Sequence, residues 1–373
     1  MAPKTVVIIG GSFAGLKVAQ GILKAVPTGQ VKVIIINPSD KFYYCIAAPR
    51  IFAKPSAFSS EQYLIPIAPA FSQYGVNFEL MVGRATGIDE ATRTVTAERS
   101  TGSQSTVTYD YLVIASGSST AAATQGSLVP FKDVNSTDLN ELIRHTQQNI
   151  VSAKTIVVGG AGPIGLEFVG ELAEAYPKKS ITIVSATQQL LPMLKKSSGA
   201  AAEKILEKRG VKVIKGQKVV GADKQGDSWK VSLSKGDSLS ADLYISAAGV
   251  IPNNSFIPGD FLDENGWVKV DEYFRVKSAS LKVKNIYAIG DIVALPTRTV
   301  MKVDERFPIV VENLKADILG TPANRPTYTT NEETEKKKLL MFVPIGASTG
   351  TGQMMGMTPW GWMVSKIKGK DFF

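Results

Sequence analysis

Thr5-Val-Val-Ile-Ile-Gly10-Gly-Ser-Phe-Ala-Gly15-Leu and Thr155-Ile-Val-Val-Gly-Gly160-Ala-Gly-Pro-Ile-Gly165-Leu are one pattern written twice in a single chain. Each copy is a short β-branched run, a glycine turn and a helix start. An apolar run follows each. The first, Val31 to Ile36, ends at Asn37, and the second, Ile181 to Val184, ends at Ser185. A third element also recurs, Asp110-Tyr-Leu-Val-Ile-Ala-Ser-Gly117 against Asp242-Leu-Tyr-Ile-Ser-Ala-Ala-Gly249. Three matched elements in one order, twice, are hard to ascribe to chance.

Each copy reads as a βαβ nucleotide-binding unit, and the fold class is α/β with two Rossmann-like domains. The first glycine permits a tight turn, the second lets backbone approach a pyrophosphate, and the third lets helix and strand pack closely. The anion then sits on the helix N-terminus, where free N–H groups and the dipole favour negative charge. The second copy is complete at Gly160, Gly162 and Gly165, with Pro163 and Ile164 opening its helix. The first has Gly10 and Gly15, with Phe13 and Ala14 opening its helix, but Ser12 replaces the middle glycine. Ser12 either contacts a phosphate through its hydroxyl or is a tolerated small residue.

The residue after the second strand sets the choice between NADH and NADPH, because an acidic side chain there holds the ribose 2′-OH. Here Ser185-Ala186-Thr187 follows that strand, so nothing repels a 2′-phosphate and either cofactor is admitted. Asn37 holds the matching place in the first copy. It either bonds a ribose or ends the strand before Pro38.

The chain has 373 residues, too long for one ordinary domain. Hydrophobic residues at 44% and charged residues at 20% suit a globular protein with large cores. No run reaches the length of a transmembrane helix, and the opening Met1-Ala2-Pro3-Lys4 lacks the signature of a secretory signal or a myristoylation site. The lone cysteine, Cys45, excludes an intrachain disulfide and a Cys-pair metal site, and points to a reducing, cytoplasmic setting. The lone histidine, His145, reads as a solvated surface residue. The net charge of +9 fits anionic partners such as a phosphorylated cofactor or a lipid surface. No reader motif favours nucleic acid. The basic stretch Lys195 to Lys218 reads as a solvated amphipathic helix followed by a strand.

On Gly10-Gly-Ser-Phe-Ala-Gly15, Tyr111-Leu-Val-Ile-Ala-Ser-Gly117, Gly159-Gly-Ala-Gly-Pro-Ile-Gly-Leu-Glu167, Ala248-Gly-Val-Ile-Pro-Asn253 and Asn285-Ile-Tyr-Ala-Ile-Gly-Asp291, the chain resembles the two-dinucleotide-binding-domain flavoproteins. Within them it is similar to the AMID-like group, relatives of apoptosis-inducing factor and the ferroptosis suppressor proteins. Its ending, Lys368-Gly-Lys-Asp-Phe-Phe373, also resembles that group. The resemblance implies a glutathione-reductase-type fold in which an NAD(P)H domain is inserted into an FAD domain. The expected boundaries are 1–117 and 253–320 for FAD, 118–252 for NADPH or NADH, and 321–373 for a C-terminal segment.

The resemblance also implies roles. Gly290 and Asp291 match the motif whose aspartate binds the FAD ribityl chain. Ala115, Ser116 and Gly117 match a segment beside the FAD, with Ser in place of Thr. Arg50 matches a basic residue near the flavin, Ala85 the small residue whose backbone meets the adenine, and Gly249 the close of the second unit. Glu167 matches a carboxylate near the reactive flavin edge or the nicotinamide. Its expected cationic partner is Arg50 or Lys54, and the alternative is a helix-surface glutamate. Lys302 is either a lysine near the flavin C2 oxygen or an exposed loop residue.

A single cysteine excludes a dithiol relay and leaves a quinone or other small organic acceptor, reduced directly at the flavin. A pathway-specific flavoenzyme acting on a biosynthetic intermediate and a slow-turnover redox sensor remain alternatives. The tail, with Trp360, Trp362, Met363, Ile367 and Phe372 among lysines, reads either as an interfacial segment touching a membrane or as a segment packed on the protein. Sequence does not set the oligomeric state.

Overall fold

The computed structural model describes residues 2–120, 129, 131–132, 139–280, 284–321, 325–337 and 339–372. Asn324, Lys338 and Phe373, which belong to the expected C-terminal segment, lie outside them. Along the chain run β1 (Lys4–Ile9), α1 (Phe13–Ala25), β2 (Val31–Asn37), α2 (Ala48–Ala53) and β3 (Phe78–Asp89). Next come β4 (Thr94–Arg99), β5 (Gln104–Thr108), β6 (Tyr111–Ile114), α3 (Leu139–Ser152), β7 (Thr155–Gly159), α4 (Pro163–Ala175) and β8 (Ser180–Val184). Then follow α5 (Lys196–Lys208), β9 (Lys212–Ile214), the meander β10 (Val219–Gln225), β11 (Ser228–Leu233) and β12 (Ser238–Ala241), and β13 (Leu243–Ser246). Last are β14 (Ile286–Ala288), α6 (Val300–Leu319) and the hairpin β15 (Met341–Pro344) and β16 (Gly350–Gln353).

The chain divides into two compact units. The first is Met1–Tyr43, Leu64–Ser118 and Pro252–Asn331, and the second is Tyr44–Tyr63, Ser119–Ile251 and Glu332–Phe373. The first unit holds a sheet of order β14-β6-β1-β2-β3-β4-β5. Its first five strands are parallel and its last two pairings antiparallel. Strand β1 shows why the run Thr5 to Ile9 is almost wholly apolar: Val6 and Ile8 enter one core, with α1 and α6, while Val7 and Ile9 enter another on the opposite face. A parallel strand covered on both faces needs no polar alternation. The second unit repeats the plan in a parallel sheet of order β9-β8-β7-β13, beside the antiparallel meander β10-β11-β12.

The division differs from the sequence boundaries in two places. Residues 44–63, expected in the first domain, belong to the second unit, and so do residues 332–372 of the expected C-terminal segment. The physical reason is a buried charge cluster. The side chains of Glu171 on α4, Arg50 on α2 and the backbone of the tail saturate one another in the second unit. Gly170 adds to this, because a Cβ there would lie 2.6 Å from Ile345 Cα. The tail is thus packed on its own unit along Val343, Ile345, Thr351, Val364 and Phe372, while Trp360, Trp362 and Ile367 are exposed. His145 is exposed on α3, Cys45 is half-buried, and Lys195 to Lys218 forms the expected helix and strand. Among the described residues, no helix is long and apolar enough to cross a membrane.

Candidate functional site

The two glycine turns are built alike. Gly10 has φ +110° and Gly160 has φ +117°, a region open essentially to glycine. A Cβ on Gly10 would stand 2.3 Å from the Ala115 carbonyl oxygen, and one on Gly15 would stand 1.9 Å from the Gly10 carbonyl oxygen. In the second unit, a Cβ on Gly165 would lie 2.0 Å from the Gly160 oxygen, and one on Gly160 would lie 2.8 Å from the Ala247 carbonyl carbon. In both units, glycine lets the turn close against the strand beside it and the helix close against the turn.

Gly162 differs in kind. A Cβ there would meet nothing within 4 Å, so open space lies before the N-terminus of α4. Ser12 has the matching place before α1; it is exposed and its side chain makes no cap hydrogen bond. Neither helix carries an acidic residue in its first turn. Both N-termini therefore keep the unopposed positive end of the helix dipole, as a pyrophosphate requires.

Three motif segments converge in the first unit. Ala115 abuts Gly10, as above. A Cβ on Gly290, whose φ is +85°, would stand 3.0 Å from the Ala14 Cβ. Ser118 Oγ donates to Asp291 Oδ2 at 3.0 Å. Ser116 and Asn253 bond reciprocally, with Ser116 Oγ donating to the Asn253 carbonyl and Asn253 Nδ2 donating to the Ser116 carbonyl, both at 2.8 Å. Gly117 has φ +66° at the exit of this segment. Ala85 is buried on β3, at a register irregularity before Gly87. The cradle fits a dinucleotide by its glycine geometry and its unopposed helix end.

Asn37 is buried and engaged with the turn itself. Its Oδ1 accepts from the Gly11 N–H at 2.8 Å, and its Nδ2 donates to the Ser39 carbonyl at 2.8 Å. It stays the wall of the turn, and an acidic side chain would lack that second, donating bond. Ser185 holds the same position in the second unit, because Gly10 N–H bonds the Ile36 carbonyl as Gly160 N–H bonds the Val184 carbonyl. Ser185 is 2% exposed, under the turn formed by Thr187 and Gln189. Gly249 has φ +77° and is exposed.

The carboxylates of α4 correct the sequence assignment. Arg50 and Lys54 pair with Glu171, at 2.8 and 2.9 Å, and not with Glu167. Arg50 also donates to the Lys370 carbonyl at 2.8 Å and the Gly369 carbonyl at 2.5 Å, and its guanidinium lies 4.6 Å from the Phe372 ring centroid. All but one of its N–H donors are committed inside the second unit. These contacts make Arg50 an anchor of the second unit.

Glu167 is no surface glutamate. It is 4% exposed and bonded at 2.6 Å to Lys368 Nζ, a partner that the sequence reading did not name. Burial raises its carboxyl pKa above the ordinary range, Lys368 opposes the rise and Glu171 adds to it. Glu167, Glu171 and Glu174, at i, i+4 and i+7 on a buried helix, were the available signal, since buried carboxylates require cations. Lys302 sits in the first turn of α6, after the cap Thr299, and pairs with Glu305 at 2.7 Å. Lys302 is therefore on a helix, and not in a loop. No group of His, Cys, Asp or Glu among the described residues is arranged to hold a metal ion.

Comparison with known proteins agrees with this geometry. A profile described as pyridine nucleotide-disulphide oxidoreductase matches residues 4–307. Oxidoreductase ptaL of Pestalotiopsis fici is 37% identical, over 98% of this chain and 95% of that protein. Ferroptosis suppressor protein 1 of Xenopus tropicalis is 26% identical, over 99% and 93%. The fold is shared with the crystal structure of the sulfide:quinone oxidoreductase of Aquifex aeolicus, with TM-score 0.74, 18% identity and coverage of 97% of this chain and 88% of that one.

Proposed function

Because the chain belongs to the pyridine nucleotide-disulphide oxidoreductase family, and is thus an FAD-dependent NAD(P)H oxidoreductase, we propose that it delivers electrons from the flavin directly to a quinone or other small organic acceptor. The observation that carries this reading is Cys45. It is the one cysteine of the chain, so the intrachain cysteine pair after which the family is named cannot form. When bound, FAD supplies the two-electron chemistry between nicotinamide and acceptor. A stopped-flow screen of reduced holoenzyme against oxygen, quinones and small metabolites tests the reading. Fast reoxidation by a quinone supports it, and reoxidation by oxygen alone opposes it.

In this reading the first unit holds FAD. Gly10, Ser12, Phe13, Ala14 and Gly15 meet the pyrophosphate, Asp291 the ribityl chain, and Ala85 and Ala115 to Gly117 the rest of the cofactor. Gly160, Gly162, Pro163, Ile164 and Gly165 do the same for NAD(P)H, with Gly249 closing the unit. Lys302, at the start of α6, is the residue assigned to the flavin pyrimidine. Ser185 carries no charge to repel a 2′-phosphate, so NADPH serves at least as well as NADH. Ser185→Glu is expected to raise the KM for NADPH at least tenfold relative to NADH, by setting a carboxylate against the phosphate. An unchanged ratio places the discriminating position elsewhere.

Glu167 is assigned as the group that holds or releases a proton during turnover. Its raised pKa lets it keep a proton where an exposed glutamate is ionised. Lys368 restrains that rise, so Lys368→Met should move the Glu167 limb of the pH–rate profile to higher pH. Glu167→Gln should abolish the limb. A limb that stays put in Lys368→Met contradicts the assignment.

A lipid surface is the proposed source of an apolar acceptor. Trp360 and Trp362 stack with centroids 6.3 Å apart, are exposed, and stand near exposed Met355 and Met357 in sequence, with Lys366 over the Trp362 ring. Amphipathic rings with lysines suit a headgroup layer. Co-sedimentation with phosphatidylserine vesicles, lost on Trp360→Ser/Trp362→Ser, checks this.

A further inference from the structure

The first unit has a second charged cleft, at the opposite end of its sheet from the glycine turn. It is an open cleft of about 290 Å³ beside Lys4, which opens β1, and Lys284, which just precedes β14. Gly10 follows the far end of β1. The strand has six residues, which at about 3.3 Å each separate the cleft from the turn by roughly 20 Å. The cleft is therefore no part of the dinucleotide cradle.

Lys4, Arg93, Arg275 and Lys284 line the cleft against only two carboxylates, Asp110 and Asp317. Both carboxylates are already engaged. Asp317 accepts from Arg275 Nη2 at 2.8 Å and from Arg325 Nη2 at 2.6 Å, and the Tyr287 hydroxyl donates to it at 2.5 Å. Asp110 accepts from Lys4 Nζ at 3.0 Å and from the Thr5 N–H at 2.8 Å. Arg93 and Lys284 are exposed and enter no ion pair among the described residues. Arg93 is held at the cleft by its backbone: its φ is +54°, and its carbonyl accepts from the Tyr109 N–H at 2.9 Å. Such a conformation is uncommon for a residue with a side chain. The cations come from distant stretches of the sequence, yet meet at one end of the sheet.

We propose that this cleft binds a small phosphate-bearing anion, with Arg93 and Lys284 as its principal contacts and Lys4 and Arg275 behind them. Paired Asp110 and Asp317 leave the lining with two surplus positive charges, which matches a dianion or a pyrophosphate. The cleft has room for that group. The inference is independent of the acceptor chemistry.

The test is calorimetric titration of FAD-loaded protein with inorganic pyrophosphate, and separately with ADP. Wild type is expected to show a saturable site whose affinity falls at least tenfold in Arg93→Ala/Lys284→Ala, while flavin reduction by NADPH is unchanged. Both residues are exposed, so the variant should fold. A tighter site for ADP than for pyrophosphate, lost in the same variant, identifies a nucleotide phosphate as the ligand class; a weaker one identifies the free anion. Equal affinity in wild type and variant assigns the binding to the glycine turns and overturns the proposal. So does heat that sodium chloride of the same ionic strength reproduces.

Discussion

Protein carrying Gly10→Ala is expected to purify without its flavin. The new Cβ would stand 2.3 Å from the Ala115 carbonyl oxygen, and that neighbour is backbone, which cannot rotate away. The residue is also in the left-handed region at φ +110°. Strain of about 1–2 kcal/mol and over-packing of about 1–3 kcal/mol fall on the turn that must accept the pyrophosphate. If all of it is relieved by moving the turn, the total of about 2–5 kcal/mol corresponds to roughly 30-fold to several-thousand-fold weaker FAD binding. The measurement is the ratio of flavin to protein absorbance, followed by fluorescence titration of the apoprotein. Gly29→Ala is the control, because Gly29 has φ +82° but open space around it. It should lose about 1 kcal/mol of stability and keep its flavin. Full FAD occupancy in Gly10→Ala would remove the first glycine turn from the flavin site.

Arg50→Ala should produce the largest loss of stability. Glu171 is fully buried, and removing its bidentate partner leaves a charge that, among the described residues, Lys54 alone still meets. Breaking one side of a buried ion pair costs about 3–5 kcal/mol, a large part of the roughly 5–15 kcal/mol that holds a domain folded. The tail loses its anchor in the same step, because Arg50 binds two of its carbonyls and lies over Phe372. Chemical denaturation of the second unit measures the effect. The double variant Arg50→Met/Glu171→Leu should recover much of the loss, since no charge is then stranded. Flavin affinity in folded Arg50→Ala separates the structural role from the one the resemblance implies. A tenfold loss of FAD binding with stability intact would return Arg50 to the flavin.

The nucleotide-binding architecture was legible because its determinants are local. A glycine turn, the strand before it and the helix after it lie within a dozen residues, and their spacing alone placed Gly10, Gly15, Gly160 and Gly165. The strand ends were legible for the same reason, so Asn37 and Ser185 fell at equivalent positions. The role of Asn37 was less so, because only the folded turn shows that its side chain is used by Gly11 and Ser39.

Pairing across long sequence distances was not legible. Glu167 and Glu171 occupy one face of α4, and nothing local decides which takes Arg50. The partner of Glu167, Lys368, lies 201 residues away. The allegiance of residues 44–63 and 332–372 followed the same long-range charges. Deleting the tail is therefore a poor probe of lipid contact, because it would unseat the buried cluster around Arg50. Substitution of exposed tail residues avoids this.

The account turns on electrons leaving the flavin without a thiol, and separate half-reactions of Cys45→Ser test that most directly. Stopped-flow absorbance should follow flavin reduction by NADPH and then reoxidation by a soluble quinone, on FAD-loaded wild type and variant. The expected result is that both rate constants in Cys45→Ser stay within about twofold of wild type, a change of less than roughly 0.5 kcal/mol in either barrier. Normal reduction with reoxidation by quinone abolished would make Cys45 part of the electron exit and contradict the account.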